Sequence, residues 1–156
     1  GIELTEKQRV RYTYGITAKQ LGNYAKKAIA SKSKDQSDAL YQSLELRADS
    51  VVLKSGIAST RYQARQIVSH GHVCVNGQRI NVPSYAMKVG DVLTIRDASK
   101  NKTLFSEVGT KMKEAAVADW LSVDADKVSV TVKGAPNYRP GESAFDLALV
   151  LQFYKR

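Results

Sequence analysis

Basic side chains that could hold phosphate groups are concentrated in the middle of the chain. Residues 47–96 contain seven Lys and Arg but only two Asp, which gives this stretch a net charge of +5. Arg61 and Arg65 lie four residues apart, so a helix would place both on one face, where each guanidinium can bind a phosphate through two hydrogen bonds. Thr60 would cap that helix, and a helix N-terminus attracts anions. These features fit either an RNA-backbone platform or a solvated basic helix face, and both interpretations stay open on spacing alone.

Other reactive residue types in this stretch give weaker patterns. His70, His72 and Cys74 could be considered metal ligands, but a structural zinc site uses four ligands and no carboxylate or second cysteine lies at ligand spacing. Cys74 alternates with valines, as a packed strand residue does. His70 either caps a helix or contacts phosphate. Asp49 is expected to pair with a nearby arginine on a helix surface, and no catalytic motif is present. We therefore expect no metal, no cofactor and no enzymatic activity.

The charge of the whole chain also favours a polyanionic partner. Its 156 residues include 24 Lys and Arg against 15 Asp and Glu, a net charge of +9, and residues 1–34 alone carry +6. Apolar residues make up 43%, as in an ordinary globular protein. No run approaches the roughly 18 apolar residues of a membrane span. The single cysteine cannot form an internal disulfide. We therefore expect a cytoplasmic protein with no membrane partner, and an organellar location stays open as the alternative.

Helical periodicity accounts for most of the N-terminal half of the chain. Thr5 is the predicted N-cap of a first helix that ends near Gly15. Thr17 and Gln20 have capping-box spacing before a second helix, whose apolar stripe begins at Leu21. Further helices are predicted over about 37–56, 60–71 and 106–121.

Period-two alternation predicts a small sheet in the C-terminal half. Asn76-Gly77 is the strongest signal, because a two-residue hairpin turn needs positive φ at both central positions. The strands it joins are followed by two more alternating segments, and an apolar run closes the chain. The predicted strands are 73–75, 79–82, 92–96 and 128–132, and the apolar run is 144–153. The composition of these elements makes the chain α+β.

Several of these segments together resemble a known RNA-binding module. Residues 47–52, 56–61, 63–73 and 75–77 closely resemble the RNA-binding domain named after ribosomal protein S4, which also occurs in some pseudouridine synthases, tyrosyl-tRNA synthetases and a small heat-shock ribosome-binding protein. The flanking segments 4–11, 81–85 and 147–154 resemble bacterial-type ribosomal protein S4 itself. The resemblance therefore covers nearly the whole chain and favours the RNA-platform interpretation.

The resemblance implies a particular domain organisation. A helical domain of residues 1–46 is completed by the C-terminal segment, and residues 47–96 form an inserted module of two helices and a small antiparallel sheet. Residues 97–156 are expected to supply a helix, a strand and a C-terminal segment that pack back on the other two.

The resemblance also implies a function and a set of RNA contacts. Members of this family are structural constituents of the small ribosomal subunit, bind the five-prime domain of its ribosomal RNA as primary binders, nucleate subunit assembly and contribute to translational accuracy. They lie beside the S5-type protein, near messenger RNA at the entry side. Carried over position by position, the implied RNA-binding residues are Lys7, Arg9, Arg11, Arg47, Ser59, Thr60, Arg61, Gln63, Arg65 and His70.

The chain departs from the family pattern at a few positions, and two alternatives stay open. Arg11-Tyr12 and residues 21–24 stand where the family often has paired arginines, and Ala48 replaces a usual leucine. A free-standing module acting on tRNA or a stalled large subunit is the main alternative. A pseudouridine synthase is a weaker one, because the flanks of the module are too short for a catalytic domain.

Overall fold

The computed structural model describes all 156 residues, which form two compact units. Unit 1 consists of residues 1–45 and 136–156, and unit 2 of residues 46–135. The third segment of the expected domain organisation, residues 97–156, is divided between the two units. Residues 97–135 belong to unit 2, which holds the RNA-binding module, and residues 136–156 belong to the helical unit 1. None of the chain's helices combines the length with the apolar composition that a membrane span needs.

Seven α-helices and five β-strands make up the regular structure. The helices are α1 Ile2–Tyr14, α2 Ala18–Ala30, α3 Gln36–Glu45, α4 Ala48–Lys54, α5 Arg61–Ser69, α6 Val108–Glu114 and α7 Leu147–Lys155. The strands are β1 Val73–Val75, β2 Gln78–Ile80, β3 Val92–Ile95, β4 Leu121–Asp124 and β5 Ser129–Val132.

Unit 1 is helical and buries a core between α1, α2, α3 and α7. The predicted capping box of α2 is confirmed: Thr17 Oγ1 accepts from the Gln20 backbone N–H, and the Gln20 side chain accepts from the Thr17 N–H. The predicted N-cap at Thr5 is wrong, because α1 begins one turn earlier, at Ile2. The Thr5 hydroxyl donates instead to the carbonyl of Gly1, four residues back, as threonines inside helices do.

Unit 2 holds a five-stranded antiparallel sheet in the order β2-β1-β3-β5-β4. The hairpin predicted at Asn76-Gly77 is confirmed, with φ of 52° and 81° at the two turn residues and Val75 paired with Gln78. Alternate residues of β1, β3 and β5 are buried against a core that α4 and α5 share. The sheet therefore has one apolar face and one outward face.

The helix predicted over residues 37–56 is interrupted after Glu45. The Leu46 carbonyl accepts from the Met87 N–H, and Arg47 forms a β-bridge with Ala86, so these residues pair with the segment after β2 instead of continuing the helix. A new helix, α4, starts at Ala48. Backbone pairing with a distant segment therefore overrides a continuous helical pattern.

The helix predicted over residues 106–121 is also shorter than expected. It spans Val108–Glu114, and Leu121–Asp124 forms the edge strand β4. Leu121 and Val123 pair with Val132 and Val130 of β5, so a sheet partner decides the conformation of this segment. Helical and strand periods both fit such a short apolar run.

Candidate nucleic-acid interface

An arginine–aspartate cluster is buried where α4 meets α5. Arg47 Nε and Nη2 donate to the two carboxylate oxygens of Asp49, each over 3.0 Å. Arg61 Nη1 lies 3.5 Å from Asp49 Oδ1 and donates to Ser50 Oγ over 2.7 Å. Two guanidinium groups thus share one carboxylate, which leaves the cluster with a net charge of +1.

The burial of this cluster changes the role of Arg47. The resemblance implied that Arg47 contacts phosphate, but its side chain is only 2% exposed and Asp49 is fully buried. In this structure the Arg47 guanidinium donates to the Asp49 carboxylate inside the unit, so a phosphate contact by Arg47 stays a prediction and its observed role is structural. The expected pairing of Asp49 with an arginine is confirmed, although the pair lies in the interior and not on a helix surface. Arg47 therefore holds α4 and Arg61 in place.

The N-terminus of α5 is exposed beside this cluster. Thr60 is its N-cap, and its Oγ1 accepts from the Gln63 N–H over 3.0 Å. The Gln63 side-chain oxygen accepts from the Ser59 N–H over 2.8 Å. These two bonds fix the turn that enters the helix, and Ser59 and Thr60 are exposed at its N-terminus. The arrangement presents hydroxyl donors at a helix end that attracts anions.

The other predicted RNA-binding residues of unit 2 lie along α5 and at its C-terminus. The Arg61 side chain is 13% exposed, so it reaches the surface only at its edge. Arg65, one turn later, is half-buried. His70 is the exposed C-cap residue, and Gly71 after it has the positive φ of 73° expected of a helix-ending glycine. The structure thus places Arg61, Gln63 and Arg65 on one short helix, Ser59 and Thr60 in the turn that enters it, and His70 at its opposite end.

The predicted residues of unit 1 do not share one surface. Lys7 and Arg11 lie one helical turn apart on α1, whereas Arg9 projects from a different side of it. Lys7 Nζ lies 4.2 Å from the centroid of the Phe153 ring, a cation–π distance. Arg9 is 59% exposed and lies 3.6 Å from Glu6, and the Arg11 Nε donates to the Ile16 carbonyl over 3.5 Å. Each of these cations therefore has an intramolecular contact.

Four basic residues at one end of the sheet were not predicted as contacts, although the hairpin indicates where two of them lie. We call them the sheet-end cluster: His72, Arg79, Arg96 and Lys102. The turn at Asn76-Gly77 sets the register Cys74 to Arg79, so Arg79 is on the outward face of the sheet with His72. Arg96 follows β3, and its N–H donates to the His72 carbonyl over 2.8 Å.

No group of three or more His, Cys, Asp and Glu side chains comes close enough in the described residues to hold a metal ion. His70 and His72 instead make an edge contact between their rings, 6.1 Å apart at the centroids. Cys74 is half-buried in β1 and has a free thiol.

Comparison with known proteins places the chain in one family. The profile of the ribosomal protein S4/S9 N-terminal domain matches residues 1–45, and that of the S4 domain matches residues 46–93. The chain is 38% identical over its full length to small ribosomal subunit protein uS4 of Lachnospira eligens, of which it spans 79%. It is 39% identical to uS4 of Syntrophomonas wolfei and 40% identical to uS4 of Hahella chejuensis, spanning 74% and 75% of them. The chain belongs to the uS4 family. It is therefore a structural protein of the small ribosomal subunit with an RNA-binding S4 domain.

The two uS4 profile matches meet where the fold changes. One ends at residue 45 and the other starts at 46, which is also where the chain passes from unit 1 to unit 2. The arginine–aspartate cluster and all of α5 lie within the S4-domain match. Arg96 and Lys102 of the sheet-end cluster lie beyond it, in the part of unit 2 that the two profiles leave unmatched.

Proposed function

We propose that this uS4-family chain is a primary binder of small-subunit ribosomal RNA, that it contacts the five-prime domain and that it nucleates assembly of the subunit. The observation that carries the proposal is the arginine–aspartate cluster. It fixes Arg61 beside the exposed N-terminus of α5, within one turn of Arg65. A rigid set of cations and helix-end donors suits the regular phosphate spacing of folded RNA.

Recognition of this kind reads the shape of the RNA. Side chains cannot enter the deep major groove of A-form RNA, so phosphate contacts position the protein where RNA helices meet. Lys7, Arg9 and Arg11 of α1 supply further phosphate contacts in the proposal. The role is structural and not catalytic, and in the assembled subunit it includes a contribution to translational accuracy beside the S5-type protein and near messenger RNA.

Binding to an isolated five-prime-domain fragment across a salt series tests the proposal. Each phosphate contact contributes about −0.7 to −0.9 to the slope of log affinity against log salt concentration. Changing Arg65 to Ala should flatten the slope by about one unit, and changing Arg61 as well should flatten it further. Lys133→Ala is the matched control, because Lys133 is an exposed cation of unit 2 that follows β5 and is not part of α5.

Two results would contradict the proposal. The first is binding of the fragment no tighter than binding of an unrelated structured RNA. The second is an Arg61→Ala/Arg65→Ala variant that stays folded by circular dichroism and keeps the wild-type slope. Co-sedimentation with large subunits or binding to tRNA would then favour the free-standing module instead.

A further inference from the structure

The sheet-end cluster is built into the fold and is not a set of loose surface side chains. Arg79 Nε donates to the Gly71 carbonyl over 2.9 Å, and its guanidinium atoms Nη2, Nε and Cζ lie against this glycine. A Cβ placed on Gly71 would come within 2.5 Å of Arg79 Nη2. The absence of a side chain at position 71 therefore allows the Arg79 guanidinium to lie beside the end of α5.

His72 is held at the centre of this cluster by the segment that follows β3. Its Nδ1 lies 2.8 Å from the hydroxyl of Ser99, which is fully buried, and its ring meets the edge of Phe105 with centroids 5.4 Å apart. These two contacts fix the ring orientation. They leave Nε2 as the ring nitrogen that can meet a ligand.

The charged groups around His72 are all cationic. His70 at the end of α5, Arg79 on β2, Arg96 after β3 and Lys102 before Phe105 each disfavour a positive charge on the ring. Burial lowers the pKa of His72 most, and these four neighbours lower it further.

The nearby carboxylates are engaged elsewhere. Asp97 pairs with Lys100 over 2.9 Å, and Asp91 accepts from Asn76 and from the Lys88 N–H at the opposite end of the sheet. His72, Arg79 and Arg96 are thus gathered at this end of the sheet, with Lys102 close enough to act on the His72 ring, and no acid compensates them, which is a costly arrangement unless an anion balances the charge.

We propose that the sheet-end cluster is a second phosphate-binding site of unit 2 and that binding of an RNA phosphate there is coupled to protonation of His72. This inference rests on the proposed function, since the anion it assigns is a backbone phosphate of the same ribosomal RNA. Arg79 and Lys102 bind the phosphate directly. His72 adds a charge-assisted hydrogen bond from Nε2 once the ring is protonated.

The coupling has a definite direction with pH. In the free protein the lowered pKa keeps His72 neutral near pH 7. A bound phosphate favours the protonated ring, so the pKa of His72 is higher in the complex than in the free protein. Affinity for RNA therefore increases as the pH falls from the pKa of the complex to that of the free protein, and the change stops below both values.

The experiment compares full-length variants binding the five-prime-domain fragment. Arg79→Gln and Lys102→Gln should each flatten the salt slope by about one unit relative to wild type. Lys133→Gln is the matched control, because it removes the same charge from an exposed position at the other end of the sheet. Two separate variants keep the test decisive if Arg79→Gln weakens folding through the lost bond to Gly71.

His72→Gln tests the proton coupling, with Lys133→Gln as the control. Wild type and Lys133→Gln should bind more tightly at pH 5.5 than at pH 7.5, whereas His72→Gln should lose most of this gain. NMR titration of the His72 ring, with and without the fragment, should show that its pKa rises on binding.

Different failures overturn different statements. If Arg79→Gln and Lys102→Gln keep the slope of the Lys133→Gln control while Arg61→Ala/Arg65→Ala flattens it, the second site is refuted and the proposed function stands. A His72 pKa that does not change on binding refutes the coupling. If wild type does not prefer the fragment over an unrelated RNA, the proposed function and this inference fall together.

Discussion

Replacing Asp49 with alanine should destabilise unit 2 more than any exposed charge substitution in the chain. The carboxylate is fully buried, accepts two hydrogen bonds from Arg47 and lies 3.5 Å from Arg61. The variant takes the Asp49 carboxylate away from two guanidinium groups in the interior. Removing one partner of a buried ion pair costs about 3–5 kcal/mol. Because the free energy of unfolding of a small domain is only about 5–15 kcal/mol, this loss is a large share of the stability of unit 2.

Urea unfolding followed by tryptophan fluorescence measures the loss. Trp120 is the only tryptophan, it is 7% exposed and it lies in unit 2, so its emission reports on the unit that holds Asp49. With an m value of about 2 kcal/mol/M, the midpoint should fall by about 2 M urea. Arg47→Ala should cost less, because Asp49 keeps Arg61 as a partner.

The matched control is Asp126→Ala. Its carboxylate is 85% exposed and lies 3.2 Å from Lys113 on the surface, where ion pairs contribute little. The reasoning is refuted if Asp49→Ala lowers the free energy of unfolding by less than about 1 kcal/mol, which is what a surface ion pair contributes. It is equally refuted if Asp49→Ala and Asp126→Ala have the same midpoint.

Three further substitutions test other parts of the fold. Asp146→Ala removes the N-cap that accepts two N–H groups at the start of α7 and should cost about 1 kcal/mol in urea unfolding followed by circular dichroism. Gly56→Ala forces a side chain onto a φ of 86° and within 2.5 Å of the Ala115 Cβ, so it should cost at least about 1–3 kcal/mol, whereas Gly134→Ala in open space should be nearly neutral. Burial raises the pKa of the Tyr138 hydroxyl above 10.0. The neutral hydroxyl therefore contributes to the stability of the folded state below pH 10, and this contribution is lost as the pH rises through the pKa of the folded state. Tyr138→Phe should remove this pH dependence of the free energy of unfolding, measured from about pH 8 to 11.

Features set by a few neighbouring residues could be predicted from the sequence. The hairpin at Asn76-Gly77, the caps at Thr17 and Thr60 and the helix-ending Gly71 are all confirmed. Each depends on backbone angles or on a hydrogen bond that spans three residues or fewer. Such features do not require knowledge of the tertiary fold.

Element boundaries that depend on distant partners could not be predicted in this way. The break after Glu45 arises because Leu46 and Arg47 pair with residues near position 86, and β4 exists because Leu121–Asp124 pairs with β5. In both segments the local pattern also fits a helix. The choice is made by sheet and bridge hydrogen bonds to residues far away in sequence or across a turn.

The candidate RNA-binding surface could likewise be predicted only in part. Spacing in the sequence identifies which basic residues share an element, but not which of them reach the surface. Arg47 and Arg61 look alike as positive charges in a basic stretch, yet the first is enclosed by Asp49 and the second keeps an edge at the surface. Arg79 contributes to the net charge of that stretch, and the hairpin register also places it on the outward face near His72. A hairpin whose turn fixes its register therefore carries information about a binding surface, and basic residues on its outward strand positions are candidates for phosphate contacts from the sequence alone.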